Sequence, residues 1–119
     1  MAISDARPSC HANRSRDAGG IILGIESTAH TFSVGFVDGL GAPGPSESTF
    51  VRPVEGGIHP REAADHHAKN AGIILKCFFD NNGISRDDIV AVAFSQGPGL
   101  GPCLRIGASV ARSISTELQ

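Results

Sequence analysis

The stretch that most constrains the fold is Phe94-Ser95-Gln96-Gly97-Pro98-Gly99-Leu100-Gly101-Pro102, together with the short apolar run at residues 89–94 that leads into it. A short run that is apolar at every position is typical of a strand covered on both faces in the parallel part of an α/β sheet. Pro102 suits the first turn of a following helix. The sequence therefore predicts a strand, a glycine-rich turn and a helix, and ligands bind beyond the carboxyl ends of such strands.

The glycine-rich turn is open to two interpretations. Its glycines let the backbone approach a bound group without an intervening side chain. A phosphate-binding P-loop is excluded, because Gly101 precedes Pro102 and Cys103 where that motif needs Lys and Ser or Thr, and prolines lack the N–H donors that would bind an anion. The turn is either a stiff connection or a substrate loop formed by Gln96, Gly97, Gly99 and Gly101.

Composition narrows the class of protein. With 119 residues, 40% of them hydrophobic, the chain is long enough for one domain with a real core. With a formal charge of -2, the chain as a whole has no excess of basic residues, so contacts with nucleic acid must be local or made by other subunits. Cys10, Cys77 and Cys103 form no C-x-x-C pair, which argues against a disulfide framework or a zinc site. The lack of a long apolar run or a secretory signal predicts a cytoplasmic protein without membrane contact.

Strand signals begin after residues 1–20, which have no hydrophobic period and are predicted to be a disordered N-terminal extension. Residues 21–119 form the predicted folded part. Strands are expected at Ile21–Ile25, at Phe32–Val37 and, after a loop from Leu40 to Ser48, at Thr49–Val51.

Helix signals follow the third strand. Pro60 and Gly83 mark the start and the stop of a helix at about residues 60–82. Apolar residues recur along it at helical spacing, at Ala64, Ala68, Ala71, Ile74, Leu75, Phe78 and Phe79. A second helix is predicted at about residues 102–117, and its small residues Gly107, Ala108 and Ala111 would allow close packing on a sheet.

The predicted order β-β-β-α-β-α is that of the opening of the ribonuclease H-like fold. In this order the third strand is antiparallel to the second, and the first is parallel to the strand at residues 89–94. Right-handed crossovers then put both helices on the same face of the sheet.

Three segments match a family. Residues 22–31, 56–67 and 93–102 together resemble the tRNA N6-adenosine threonylcarbamoyltransferases, in the archaeal and eukaryotic branch that provides the catalytic subunit of the KEOPS complex. The resemblance covers essentially residues 21–119, and the three motifs stand in the family's order. One departure is Ser27, where archaeal members typically have Gly.

The resemblance implies the N-terminal lobe of an actin-like ATPase (ASKHA) fold, truncated here before its fifth strand. It implies transfer of a threonylcarbamoyl group from threonylcarbamoyl-AMP to N6 of the adenosine adjacent to the anticodon in tRNAs reading ANN codons. In the family one divalent metal ion, iron or zinc, is held by a His-x-x-x-His pair and a later Asp. No two of the five histidines here are four residues apart, so neither metal ligands nor a complete catalytic set is expected, and the chain alone is expected to be inactive.

The family's cleft loops fall on Glu26, Ser27, Thr28, His30, Gly57 and His59, in addition to the glycine-rich turn. Each also has a structural interpretation, since hydroxyls are common in ordinary turns and histidines at helix caps. Glu62 and His66 lie four apart on one helical face, where a solvated or mutually bonded pair is favoured over metal ligands. His67 is expected to have a structural role and to brace a loop against the helix.

Alternatives to catalysis remain. The two helices, at about 60–82 and 102–117, are the surfaces that family members use to bind KEOPS subunits, so the chain could be a non-catalytic interaction module. A metalloprotease is disfavoured, since the sequence has no H-E-x-x-H or comparable ligand set. Strands that are apolar on both faces also predict self-association or aggregation if the second face stays uncovered.

Overall fold

The computed structural model describes residues 19–118, and the expectation for residues 1–18 therefore lies outside the described residues. A mixed four-stranded sheet has the order β3-β2-β1-β4, where the strands are β1 (Ile21–Glu26), β2 (Thr31–Asp38), β3 (Glu47–Phe50) and β4 (Ile89–Phe94). The pairs β1–β2 and β2–β3 are antiparallel, and β4 is parallel to β1. The predicted strand order and directions are confirmed.

Two helices complete the fold, α1 (Pro60–Asn82) and α2 (Gly101–Glu117), and a short 3-10 helix at Arg86–Asp88 precedes β4. Pro60 occupies the first turn of α1, as its fixed φ favours. Gly83 ends α1 in the left-handed conformation at φ 60°, and its N–H donates to the Phe79 carbonyl at 3.0 Å. Both predicted helices are confirmed to within one residue.

The core lies on one face of the sheet. Alternate residues of β1 and β2 point into it, and helical residues from both α1 and α2 pack against them; its members include Ile21, Leu23, Ile25, Phe32, Val34, Phe36, Ala71, Phe78 and Ala111. Phe36 and Phe78 meet edge to face with ring centroids 5.7 Å apart. Both helices therefore cover the same face, as the right-handed crossover rule predicts.

Two details of the sequence-based assignment were wrong. β3 starts at Glu47 rather than Thr49, because residues 47–50 pair with β2 and this pairing extends the strand into polar residues that local propensity assigns to a loop. Ala68, assigned to the apolar stripe of α1, is exposed, and Ala63 and His67 are buried instead. Spacing alone did not fix which side of an alanine-rich turn faces the sheet.

The other face of the sheet is open in the described part of the chain. Ile22 pairs with Ala91 and Gly24 with Ala93 across this face, and Ile22 is 41% exposed. β4 is an edge strand, with Val90 63% exposed. Within the described part of the chain, residues 89–94 are therefore covered on one face only, because both helices lie on that side.

We predict that this chain self-associates at low micromolar concentration. An open face and an unpaired edge expose apolar surface on the order of a few hundred Å², worth several kcal/mol toward burial at about 25 cal/mol per Å². Sedimentation velocity should show dimers or larger species, and Val90→Lys should reduce them because charge on an edge strand opposes pairing. Ser109→Lys, on the exposed side of α2, is the matched control. A monomer that binds no hydrophobic dye would contradict this prediction.

Candidate functional site

Two loops meet beyond the carboxyl ends of the adjacent parallel strands β1 and β4. We call residues 26–30 the first loop and residues 95–100 the glycine loop. The N–H of Ser95 donates to the Ile25 carbonyl at 3.0 Å, and the N–H of Leu100 donates to the Thr28 carbonyl at 2.7 Å. The N–H of Ser27 also lies 3.3 Å from the Ser95 hydroxyl oxygen, which accepts it. Backbone bonds thus join two loops that are far apart in sequence.

Gly99 makes this close approach possible. A Cβ at this position would lie 2.5 Å from the carbonyl oxygen of Thr28 and 3.0 Å from its Cα. These are backbone atoms that cannot rotate away, so only glycine fits without separating the loops. Gly99, predicted from the sequence to let substrate approach the backbone, is thus also needed for packing inside the site itself.

Glu26 lies at the end of β1 with its side chain half-buried. Its Oε1 accepts hydrogen bonds from the backbone N–H of Thr28 at 2.6 Å and from the Thr28 hydroxyl at 2.5 Å. In the described part of the chain, Oε2 of Glu26 has no hydrogen-bond partner. Glu26 borders a shallow groove of about 290 Å³ on the open face, lined mainly by small residues, among them Gly24, Ser33, Gly35, Ser46 and Ala93. A carboxylate there can accept a hydrogen bond from a hydroxyl or amino group.

Ser27, predicted to line the cleft, is fully buried. Its hydroxyl donates to the Cys103 carbonyl in the first turn of α2 at 2.9 Å, across 76 residues of sequence. A Cβ added to Gly107 would overlap this hydroxyl oxygen. In this structure the Ser27 hydroxyl therefore links the first loop to α2 and leaves Thr28 as the loop's partly exposed hydroxyl.

His67 links α1 to the first loop. It is fully buried, and its Nε2 lies 2.7 Å from the carbonyl oxygen of Ala29. Its Nδ1 lies 3.1 Å from Nδ1 of His66, whose Nε2 is 3.4 Å from the Thr49 hydroxyl. Burial, and then the neighbouring His67, lower the pKa of His66. His66 thus makes its side-chain contacts with Thr49 and His67, and Glu62 is exposed.

Gly57 and His59 lie in an exposed segment that precedes α1. His59 is the N-cap residue, and its side chain makes no capping hydrogen bond. The end of β3 is tied to the first loop instead, since the N–H of Val51 donates to the His30 carbonyl at 2.9 Å. The structure thus brings together residues 26–30 and 95–101, and it leaves Gly57 and His59 at the periphery.

Sequence reasoning missed Ser95 and Cys103 as parts of this site. The Cys103 thiol is buried near the Pro60 carbonyl, with Sγ at 3.8 Å, and burial raises its pKa. A protonated, buried thiol is a packing group rather than a nucleophile. No local signal marks either residue, because their partners lie 68 and 43 residues away in sequence.

Within residues 19–118, no three His, Cys, Asp or Glu side chains are grouped to hold a metal ion. None of the helices described is long and apolar enough to cross a bilayer. A concavity of about 910 Å³, bordered by Arg86 and Glu117, lies at the opposite end of β4 from the two loops.

The chain is similar in sequence to a known protein family. Residues 46–119 match the model of the TsaD family, tRNA N6-adenosine threonylcarbamoyltransferase. A protein of that name from Pyrobaculum calidifontis is 50% identical over 98 residues, and one from Caldivirga maquilingensis is 55% identical over 97 residues. Each alignment covers 82% of this chain and 29% of the relative, so the chain spans less than a third of its relatives' length.

A solved structure supports the fold. YeaZ from Pseudomonas aeruginosa superposes with a TM-score of 0.64 at 20% identity, over 84% of this chain and 40% of that chain. At this identity the likeness concerns architecture alone, and it agrees with the predicted actin-like (ASKHA) fold. With the family model matched over more than half of its residues, the chain belongs to the tRNA N6-adenosine threonylcarbamoyltransferase family.

Proposed function

We propose that this chain forms part of the substrate cleft of a cytoplasmic enzyme that modifies tRNA. The reaction transfers a threonylcarbamoyl group from threonylcarbamoyl-AMP to N6 of the adenosine adjacent to the anticodon in tRNAs reading ANN codons. The observation that carries the proposal is the backbone junction between the first loop and the glycine loop, at the carboxyl ends of two parallel strands in a member of this family. Open α/β sheets bind ligands at that end.

The roles of individual residues follow from their positions. Glu26 offers Oε2 as an acceptor for a hydroxyl or amino group of the substrate, with Thr28 fixing its carboxylate. Backbone at Gln96, Gly97 and Gly101 can approach a bound group closely. His30, Gly57 and His59 are exposed and would border the cleft. The divalent metal ion, iron or zinc, would be held in the complete protein by residues other than those described here.

The outer surfaces of α1 and α2 are proposed to bind KEOPS subunits. Ile73 on the outer surface of α1 is 60% exposed and is therefore available for contact with a protein partner. A purely non-catalytic role of the chain would keep this contact and lose the function of the two loops. Transfer assays on loop variants therefore distinguish the two functions.

The direct test is Glu26→Gln in the complete protein that contains this chain. Glutamine keeps an acceptor for the N–H of Thr28 but loses the charge, and hydrogen bonds to charged groups contribute about 1.5–3 kcal/mol. We therefore expect kcat/KM for transfer to tRNA to fall about 10- to 100-fold with little change in Tm. Glu117→Gln, on the exposed carboxyl end of α2, is the matched control. Full activity of Glu26→Gln would refute the cleft assignment.

A further inference from the structure

A continuous series of hydrogen-bonding groups runs from the first loop through α1 to β3. Its members are the Ala29 carbonyl, Nε2 and Nδ1 of His67, Nδ1 and Nε2 of His66, and the Thr49 hydroxyl. Adjacent histidines on a helix ordinarily point in different directions, yet here the two Nδ1 atoms are 3.1 Å apart. This contact requires one proton between the rings.

The protons in this series have only one arrangement when both rings are neutral. A carbonyl oxygen can only accept, so Nε2 of His67 carries a proton and donates to Ala29. Nδ1 of a neutral His67 is then an acceptor, and Nδ1 of His66 must donate to it. Nε2 of His66 is left as an acceptor for the Thr49 hydroxyl. His66 is therefore held in its Nδ1–H tautomer by a contact that begins at the first loop.

We propose that His66 and His67 form a proton-ordered pair that positions the first loop. His67 is the positioning residue, and His66 fixes its tautomer so that Nε2 of His67 always presents a proton to Ala29. The pair can take up one additional proton at Nε2 of His66, because Nδ1 of His67 then still accepts from the Nδ1–H of His66. A second proton would place N–H against N–H and break the pair.

The surroundings favour the neutral state of the pair. His67 is fully buried against Phe32, with ring centroids 6.0 Å apart. Nearby carboxylates are engaged elsewhere or exposed, since Glu26 binds Thr28 and Glu47 binds Asn81. The remaining titratable groups on α1, α2 and the loops beside the pair are exposed or buried without charge, namely His30, His59, Arg61, Glu62, Asp65, Lys69, Arg105 and the Cys103 thiol. No described carboxylate contacts either ring to offset a second charge.

The first test is the tautomeric state of the histidines, measured by two-bond 15N–1H correlation on the full chain at pH 7.5. We expect His67 as the Nε2–H tautomer and His66 as the Nδ1–H tautomer. The exposed His30 and His59 provide internal references in the same spectrum. Finding both His66 and His67 as Nε2–H tautomers would overturn the proposal, since no proton would then lie between the rings.

Two variants of His67 separate positioning from simple packing. His67→Gln keeps an amide N–H for Ala29 and an oxygen for His66, whereas His67→Leu keeps the volume and removes both. We expect His67→Leu to lower Tm by about 5 °C or more, because it leaves the part-buried Ala29 carbonyl unpaired, and to return His66 to the Nε2–H tautomer. His67→Gln should preserve both properties. Retention of the Nδ1–H tautomer of His66 in His67→Leu would overturn the proposal.

The dependence of Tm on pH provides a further test of the pair. Because the pKa of His66 is lowered in the folded state, the neutral pair stabilises the fold fully above about pH 6.5, the ordinary histidine value. That stability is lost as the pH falls through the lowered pKa. The decrease in Tm between pH 7.5 and 5.5 should therefore be smaller in His66→Asn, which cannot titrate, than in the wild type. An equal decrease in both would contradict the neutral state of His66 in the folded pair.

The consequence for catalysis rests on the proposed function. In the complete protein His67→Leu should lower transfer about 10-fold or more through displacement of the first loop, and His67→Gln should restore most of it. The tautomers and Tm do not depend on that function. The wild-type histidines could show the expected tautomers while His67→Leu transfers at the wild-type rate. That result would refute the role of the first loop in the cleft, and the proton-ordered pair would still stand.

Discussion

Gly107→Ala is expected to lower Tm of this chain by at least about 10 °C, as the loss of several kcal/mol does in a domain of this size. A Cβ at Gly107 would overlap the Ser27 hydroxyl oxygen and lie 3.2 Å from the Ser27 Cβ. Ser27 is fully buried and its hydroxyl donates to Cys103, so it has no free space to move into. Overpacking costs about 1–3 kcal/mol and a lost buried hydrogen bond a similar amount.

A double variant tests whether this contact is the cause. Ser27→Gly removes the overlapping hydroxyl, so Gly107→Ala combined with Ser27→Gly should recover most of the lost stability, giving a coupling free energy of about 1–3 kcal/mol. Gly72→Ala is the matched control, because a Cβ there meets no atom within 4 Å. It should stabilise helix α1 by about 0.5–1 kcal/mol. A Gly107→Ala chain that melts like the wild type would show that α2 does not pack on the first loop in this way.

Gly99→Ala is expected to lower threonylcarbamoyl transfer by the complete protein about 100-fold, since a displacement of about 1 Å in a site can cost that much. The added methyl group meets the backbone of Thr28, so the hydrogen bond from Leu100 to the Thr28 carbonyl must lengthen or break. The first loop and the glycine loop would separate and carry Glu26 away from the glycine backbone. Steady-state kinetics with threonylcarbamoyl-AMP and tRNA measure the loss.

Thermal stability distinguishes this effect from unfolding. The junction lies at the rim of the fold, so Gly99→Ala should change Tm less than Gly107→Ala does. Gly72→Ala should transfer at the wild-type rate, because its methyl group projects into open space on α1. If Gly99→Ala retained full transfer, either the junction would tolerate separation or the cleft would lie elsewhere.

The sequence by itself determined the order and type of the elements and the face on which the helices lie. The short apolar run of β1 and the alternation in β2 differ from the helical spacing of apolar residues in α1, and Pro60 and Gly83 mark the ends of that helix. The right-handed crossover rule then fixed both helices on one face of the sheet. Three ordered motifs identified the family, and the small residues of α2 predicted its close packing. These signals depend on neighbouring residues or on the direction of the chain alone, and both can be found from a sequence.

Only the tertiary structure decided what the site residues do. Ser27 reads as a loop hydroxyl in the sequence, yet burial and the bond to Cys103 make it a link between the first loop and α2. Gly99 packs on Thr28. Nε2 of His67 contacts the Ala29 carbonyl, and its Nδ1 contacts Nδ1 of His66. The contacts that Ser27, Gly99 and His67 make with Cys103, Thr28 and Ala29 join residues 38 to 76 positions apart, and the polar groups involved are common in ordinary turns and helix surfaces. Their roles depend on distances that arise only when β1, β4 and the two helices are packed together.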